Sequence, residues 1–372
     1  MKLRKIIRGL APYGVVRHFQ KKHAKNKLEQ VSFWEGYMDY IRSQSRCELL
    51  EESPVRTVVS VQGFGHSGSG AVVDLLREYD DVVVVGGVDV VGSCAATEEA
   101  LYEVDFLRSA GGLFEMELYL NTHNVRIQDA LLHRFVLLIQ RSDLFQKVPE
   151  TRKYFYEFFR QISTASDTFP YQVGNPHLDY KGVNNTLFLQ YMKLEEYRNL
   201  CRKLLNSIFS CYPIKKSDIL VLDQFVGDRE YDLPRYLEYV PNLKPIVVYR
   251  DPRDVYVFAK KYNIVWLSAS NVDSFLEYFH KGAHLLMTVN DIQDFLTGYY
   301  VVSFERLLKE YSDVVNEIES FVGLNSNMHT RPKSALRPDM SIKGVEMWKE
   351  HPELNEDFKM LARELPQFIY YK

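Results

Sequence analysis

The stretch GFGHSGSGAVVDLL, Gly63 to Leu76, directly follows the apolar run TVVSVQ of residues 57–62. β-Branched residues cluster in that run and a glycine turn stops it, so Thr57 to Gly63 reads as a buried strand and Ser67 to Arg77 as a helix. A strand, a glycine loop and a helix in this order set the backbone N–H groups of about His66 to Gly70 around an anion at a helix N-terminus, where the dipole also favours negative charge. Gly65, Gly68 and Gly70 let the backbone approach closely, and Ser67 and Ser69 add hydroxyl donors. Gly63 and Gly68 keep the spacing of the Walker A loop, G-x-x-x-x-G-K-[ST], yet Ser69-Gly70 stands where its lysine and hydroxyl residue belong. The cradle has lost its usual cation. A tight turn that needs glycine for backbone reasons alone would read the same way, so a second anchor is required.

PIVVYRDPRDVYVFAKKY, residues 245–262, supplies it. A buried strand here runs straight into a helix. Proline at the first helical position and acids in the first turn are ordinary helix-start chemistry, which accounts for Asp251, Pro252 and Asp254. It does not account for Arg250 and Arg253 at the carboxyl end of a strand, the edge where open α/β sheets bind ligands and where a guanidinium fork suits a phosphate.

Further buried strands are read at DDVVVVGG (80–87), DILVLD (218–223), KPIVVYR (244–250) and Tyr300 to Glu305. Continuous apolar runs separated by helical stretches predict an α/β fold: a three-layer, P-loop-like parallel sheet flanked by helices. Between the second and third strands lie about 130 aromatic-rich residues, too many for a structureless loop. KYFYEFFRQI and NTLFLQYMKLEEYRNLCRKLL read as helices of a largely helical insertion over about 106–215, at the ligand edge. The organisation expected is a basic arm and connector over 1–50, then one domain over 51–372.

A chain of 372 residues, 46% hydrophobic and 26% charged, can bury a full core. Its net charge of −3 excludes a general nucleic-acid binder, so any anion site is local. Four cysteines without C-x-x-C spacing argue against a zinc ribbon or a redox pair and for a reducing compartment; no metal is expected. The absence of a long apolar run or signal-peptide core points to a cytoplasmic protein. Residues 1–27 are dense in Lys and Arg and contain no acid. They read either as a solvated tail or as an amphipathic segment held to the anionic inner face of a membrane.

With both anchors in order, the chain resembles the sulfotransferases that take a sulfonate from 3′-phosphoadenosine 5′-phosphosulfate (PAPS). GFGHSGSG stands at the family's 5′-phosphosulfate loop and YRDPRDVY at its 3′-phosphate junction. VVSFERLLKEYSDVVNEIESFVGL is similar to its late strand and helix, and SIKGVEMWK to its C-terminal cofactor loop. The likeness spans roughly Val55 to Lys349 and covers the insertion poorly. It implies PAPS as co-substrate, held by residues 65–70, Arg250, Arg253, Lys343 and Gly344, with His66 in place of the family's basic loop residue, as an imidazolium or a donor tautomer. The chain departs from the family at Phe258, where many members carry a serine ligand that Ser268 or Ser270 would have to replace. The C-terminal loop also lacks the arginine that usually adjoins Lys343-Gly344.

Sulfonation of a hydroxyl benefits from a base. In polysaccharide sulfotransferases a glutamate after the second strand serves in a setting like E-V-x-F-F, and ALYEVDFLRS offers Glu103, with Asp105 and Arg108 beside it as acceptor contacts. His123, His133, Glu115 and Glu117 are rivals, each equally readable as a structural or solvent-facing residue. Asp223 and Gln224 at the end of DILVLDQ bind acceptor, orient the glycine loop, or cap a turn. The resemblance implies transfer to a carbohydrate or glycolipid, as in cell-envelope polysaccharide synthesis. A P-loop-type kinase of a small metabolite and a non-catalytic nucleotide- or glycan-binding relative are the competing readings.

Overall fold

The computed structural model describes residues 46–85, 107, 111–141, 148–166, 186–226, 232–282 and 298–370. Glu103, Asp105, Arg108 and the basic arm lie outside them. In chain order, β1 (Thr57–Gly63), α1 (Ser69–Leu76) and β2 (Val82–Val85) are followed by α2 (Leu113–Leu118), α3 (Val125–Arg141), α4 (Thr151–Ile162), β3 (Ser163–Ser166), β4 (Thr186–Leu189) and α5 (Leu194–Phe209). The chain then returns through β5 (Ile219–Asp223), α6 (Asp232–Tyr239), β6 (Leu243–Tyr249), α7 (Pro252–Lys261) and α8 (Val272–Gly282). It ends with β7 (Tyr300–Ser303), α9 (Phe304–Lys309), α10 (Tyr311–Val322) and α11 (Asn355–Glu364), joined by short 3₁₀ turns.

Five strands form one parallel sheet in the order β2-β5-β1-β6-β7. The strands reached by successive crossovers lie on both sides of β1, so the loops after β1, β5, β6 and β7 gather at one carboxyl edge, the ligand edge of such sheets. The valines and isoleucines that made the strands legible alternate between two faces. Val59, Val61, Ile219, Val221, Ile246 and Val248 pack with Val72, Leu75 and Leu76 of α1 and with Ile318 of α10. On the other face Val247 packs with α7, α8 and α11, while Val58, Leu220 and Leu222 join the core of the insertion. The predicted three-layer α/β fold is the observed one.

Several boundaries differ for local reasons. The first helix begins at Ser69 rather than Ser67, because Gly68 adopts φ 93°, a left-handed conformation that interrupts the helix. The last strand stops at Ser303: its hydroxyl accepts the N–H of Arg306 and starts α9, which takes Phe304 and Glu305 out of the predicted strand. In the insertion, residues 186–189 form a strand rather than a helix and pair antiparallel with β3. That segment is β-branched and aromatic at its start, and the helical period sets in only at Leu194, where the Lys193 N–H donates to Glu196.

Candidate functional site: an anion cradle at the sheet edge

The loop after β1 is shaped by crowding. A Cβ on Gly63 would stand 2.6 Å from the hydroxyls of both Ser67 and Ser69, and one on Gly68 would meet the Phe304 ring at 2.3 Å. Gly65 at φ 38° and His66 at φ 58°, with Gly68 at φ 93° one residue beyond Ser67, put three loop residues in the left-handed region, in a turn of the kind that lines backbone N–H groups around an anion. Ser67 is buried, and its Oγ accepts the N–H of Phe64 at 2.9 Å. Gly70 faces open space. Ser69 lies beside Gln224, whose Nε2 donates to its Oγ at 3.5 Å while the Gln224 backbone N–H donates to Val61 O. Of the roles read for Gln224, orienting the loop is the one this contact supports.

The two arginines of the second anchor part company. Arg253 donates through Nε and Nη2 to both oxygens of Asp251, at 3.0 and 2.6 Å, and its guanidinium lies 4.0 Å from the Trp348 ring centre. Its fork is held by a carboxylate already. Arg250, only 6% exposed, has no ion pair among the described residues. Its Nη1 donates to His66 O at 3.2 Å and its Nη2 to Gly344 O, so one side chain ties the β1 loop to the C-terminal loop. Phe304 at 5.0 Å and Phe258 at 5.9 Å cover it, and its buried Nε has no hydrogen-bond partner. A buried cation with an orphaned donor is costly to leave unmatched, which makes Arg250 a candidate anion contact beside the glycine loop.

Carboxylates surround Arg250 at a distance. Burial, partly opposed by Arg250, raises Asp254 to about 6 and Glu305 to about 7. Asp254 accepts the N–H groups of Glu346 at 2.8 Å and Trp348 at 3.1 Å and so fixes the loop that carries Lys343 and Gly344. Glu305 accepts the Asp251 N–H at 2.9 Å with one oxygen and leaves the other buried without a partner. The His66 ring packs on Phe258 at 4.8 Å. Burial and the charge of Arg250 lower its pKa, which favours a neutral imidazole over a cation at pH 7. Phe258, where a serine ligand was sought, is the ring between His66 and Arg250.

Lys343 is exposed and without a partner among the described residues, next to Gly344. Asp223 ends β5 beside Val61 of β1; one of its oxygens is buried without a partner, and burial raises it to about 6. Three of the four rival bases are engaged elsewhere. Glu117 binds Arg198 and the Tyr239 hydroxyl, Glu115 accepts the Gly111 N–H, and His133 bonds Asp129 O at 2.8 Å. His123 is exposed. Sequence reading missed Phe304, Glu305 and Asp254 as parts of the site. Their signal was the strand-helix junction SFE and the first turn of α7, both of which also read as plain helix starts.

Among the described residues no cluster of His, Cys, Asp and Glu is placed to hold a metal ion, and no helix is long and apolar enough to cross a membrane. No protein-family model matches the sequence, and no curated protein does. Solved structures similar to the chain include the sulfotransferase STF9 from Mycobacterium avium, at 10% identity and TM-score 0.35, covering 92% of this chain and 82% of that one. The sulfotransferase domain of the Synechococcus PCC 7002 olefin synthase is similar at 12% identity and TM-score 0.39, covering 87% and 98%. Retinol dehydratase in complex with androsterone and the inactive cofactor PAP is similar at 13% identity and TM-score 0.34, covering 86% and 83%.

Proposed function

We propose that the protein transfers a sulfonate group from PAPS to a hydroxyl of a carbohydrate or glycolipid, with a cell-envelope glycan as the acceptor class. The observation that carries this reading is Arg250: a buried guanidinium with an orphaned Nε and no carboxylate in contact, beside a glycine loop at the carboxyl edge of a parallel sheet. Two anion anchors rooted in different strands suit a nucleotide with phosphates at both the 3′ and 5′ positions. The residues present fit such a group: the loop N–H groups and the Ser67 and Ser69 hydroxyls for one end, Arg250 and Lys343 for the other. Arg253, neutralised by Asp251, acts by stacking on Trp348 and bracing the C-terminal loop.

PAPS supplies an activated sulfuryl group whose leaving group is a phosphate oxygen. The chain's own part is to orient that oxygen and stabilise its growing charge with preorganised donors. A neutral His66 serves as one of these through its ring N–H. The Walker lysine is dispensable because a sulfuryl group carries less charge than the phosphoryl group for which kinases use lysine and Mg²⁺. Most described aromatic residues of the insertion lie in its core, leaving Tyr191, 85% exposed, suited to a sugar ring, and the arm over 1–27 is suited to an anionic membrane face at which a lipid-linked acceptor is presented. Transfer of label from PAPS, with ATP as the control donor, across a panel of glycans tests the reading. Phosphorylation from ATP without transfer from PAPS would replace it with a kinase.

A further inference from the structure

Among the described residues, Asp223 is a carboxylate at the ligand edge with one oxygen that no donor reaches. It ends β5, in register with Val61, two residues before β1 enters the glycine loop. Ile219 and Val221 on the same strand lie under α1, and the alternation of a strand places Asp223 on that same face, at the upper end of the apolar stripe. The residue that follows, Gln224, has φ 55° and reaches Ser69 Oγ, so the chain at this point borders the cradle. Oδ1 of Asp223 is buried and receives no hydrogen bond, while the residue as a whole keeps some exposure to solvent. A buried carboxylate oxygen without a donor is costly, and the charge of Arg77 and the backbone N–H of Gln224 oppose that cost only in part, since burial still raises the group.

We propose that Asp223 is the proton acceptor of the transfer reaction, taking the hydroxyl proton of the sugar as its oxygen attacks sulfur. This rests on the sulfotransferase reading above and gives the base role to Asp223 instead of Glu103. In the step, the acceptor oxygen forms a bond to sulfur while the bond from sulfur to the 5′-phosphate oxygen breaks. The electron pair of that bond leaves on the phosphate, and the hydroxyl proton passes to the Asp223 carboxylate. Adenosine 3′,5′-bisphosphate and the sulfated acceptor are the products. The surroundings favour the role, since burial lifts Asp223 to about 6 and brings it close to the operating pH. The charge that faces it is Arg77 at the end of α1, itself bonded to Asp74 Oδ1 at 2.7 Å; β1 offers only Val61.

Two readouts test this. Carbon-13 NMR of the aspartate carboxyls, with Asp223→Asn to assign the signal, gives the Asp223 midpoint with and without adenosine 3′,5′-bisphosphate. A phosphate held in the adjacent cradle disfavours the carboxylate, so the midpoint rises by about half a pH unit or more. Binding of the bisphosphate by calorimetry with no movement of Asp223 overturns the base role and leaves the sulfotransferase reading intact. No binding overturns that reading, and the base role with it. With PAPS and p-nitrophenyl glycosides, Asp223→Asn loses about a hundred- to ten-thousandfold in kcat at an unchanged KM for PAPS. A normal kcat for that variant beside an inactive Glu103→Gln returns the role to Glu103.

Discussion

Replacing Arg250 with alanine separates the anion-anchor reading from a purely structural one. The guanidinium donates to two backbone carbonyls, His66 O and Gly344 O; at about 1 kcal/mol per bond their loss lowers stability by about 2 kcal/mol, which is a few degrees in Tm for a large domain. A structural arginine predicts that and nothing more. If Arg250 also receives a phosphate, the variant loses a charge-assisted contact of about 1.5 to 3 kcal/mol, or roughly ten- to 150-fold in affinity for adenosine 3′,5′-bisphosphate. AMP, which reaches only the glycine loop, binds the wild-type protein weakly and the variant equally weakly. Arg250→Lys keeps the charge without the fork, cannot serve both carbonyls and a phosphate, and falls between. Isothermal titration calorimetry of both nucleotides against the three proteins is the assay. An Arg250→Ala protein that binds the bisphosphate as tightly as wild type, or a wild type that binds AMP equally well, refutes the anchor.

Gly68→Ala puts a side chain at φ 93° and a Cβ against the Phe304 ring at 2.3 Å; the left-handed conformation alone costs about 1 to 2 kcal/mol, so calorimetric Tm falls and bisphosphate binding weakens as Phe304 is displaced from Arg250. Burial raises Glu305 to about 7 from the ordinary 4.5, so the folded protein holds a proton that the unfolded chain releases. Stability therefore declines as pH rises from about 4.5 through about 7, and Glu305→Gln flattens that decline in Tm measured against pH. Acidic substitutions among the basic residues of 1–27 release the protein from anionic vesicles by about 1 kcal/mol per charge, while catalysis on a soluble acceptor persists; sedimentation indifferent to these changes and to salt makes the arm a tail.

Legibility followed the physics of each signal. β1, β5 and β6 were readable to within a residue because a fully buried parallel strand must be apolar along its length, and the glycine loop because its torsions exclude most side chains. The difference between Arg250 and Arg253 was invisible. Both stand in R-D-P-R-D, and only the folded helix start shows Asp251 turning its carboxylate onto Arg253. The hairpin of β3 and β4 was hidden because its strands are four residues each, shorter than any window in which a period of two outweighs a helical one. Phe304 was read as part of a strand, since nothing in YYVVSFE marks Ser303 as a helix cap until Arg306 lies behind it. The C-terminal loop reached Gly344 by resemblance alone; its tether, Asp254, looked like first-turn helix chemistry.

Arg250 sits in a field of carboxylates without touching one, and this makes anion binding a protonation event. Asp251 is committed to Arg253, which leaves Asp254 at about 6 and Glu305 at about 7 as the groups whose charge the guanidinium balances. Both stand high mainly through burial. A phosphate arriving at Arg250 brings negative charge near each, disfavours their ionised forms and raises them further. Glu305, already close to neutrality, responds most, so bisphosphate binding takes up a fraction of a proton between about pH 6.5 and 8. Calorimetry in buffers of different ionisation enthalpy but equal pH reads this directly, because the observed heat varies with the proton the buffer gives up. In Glu305→Gln the buffer dependence shrinks, and what remains belongs to Asp254, Asp223 and the phosphates. Protons exchanged by the phosphates themselves, whose second pKa is about 6, are common to both proteins, so a buffer dependence identical in wild type and Glu305→Gln places the bound anion away from Arg250 and Glu305, whatever the affinity.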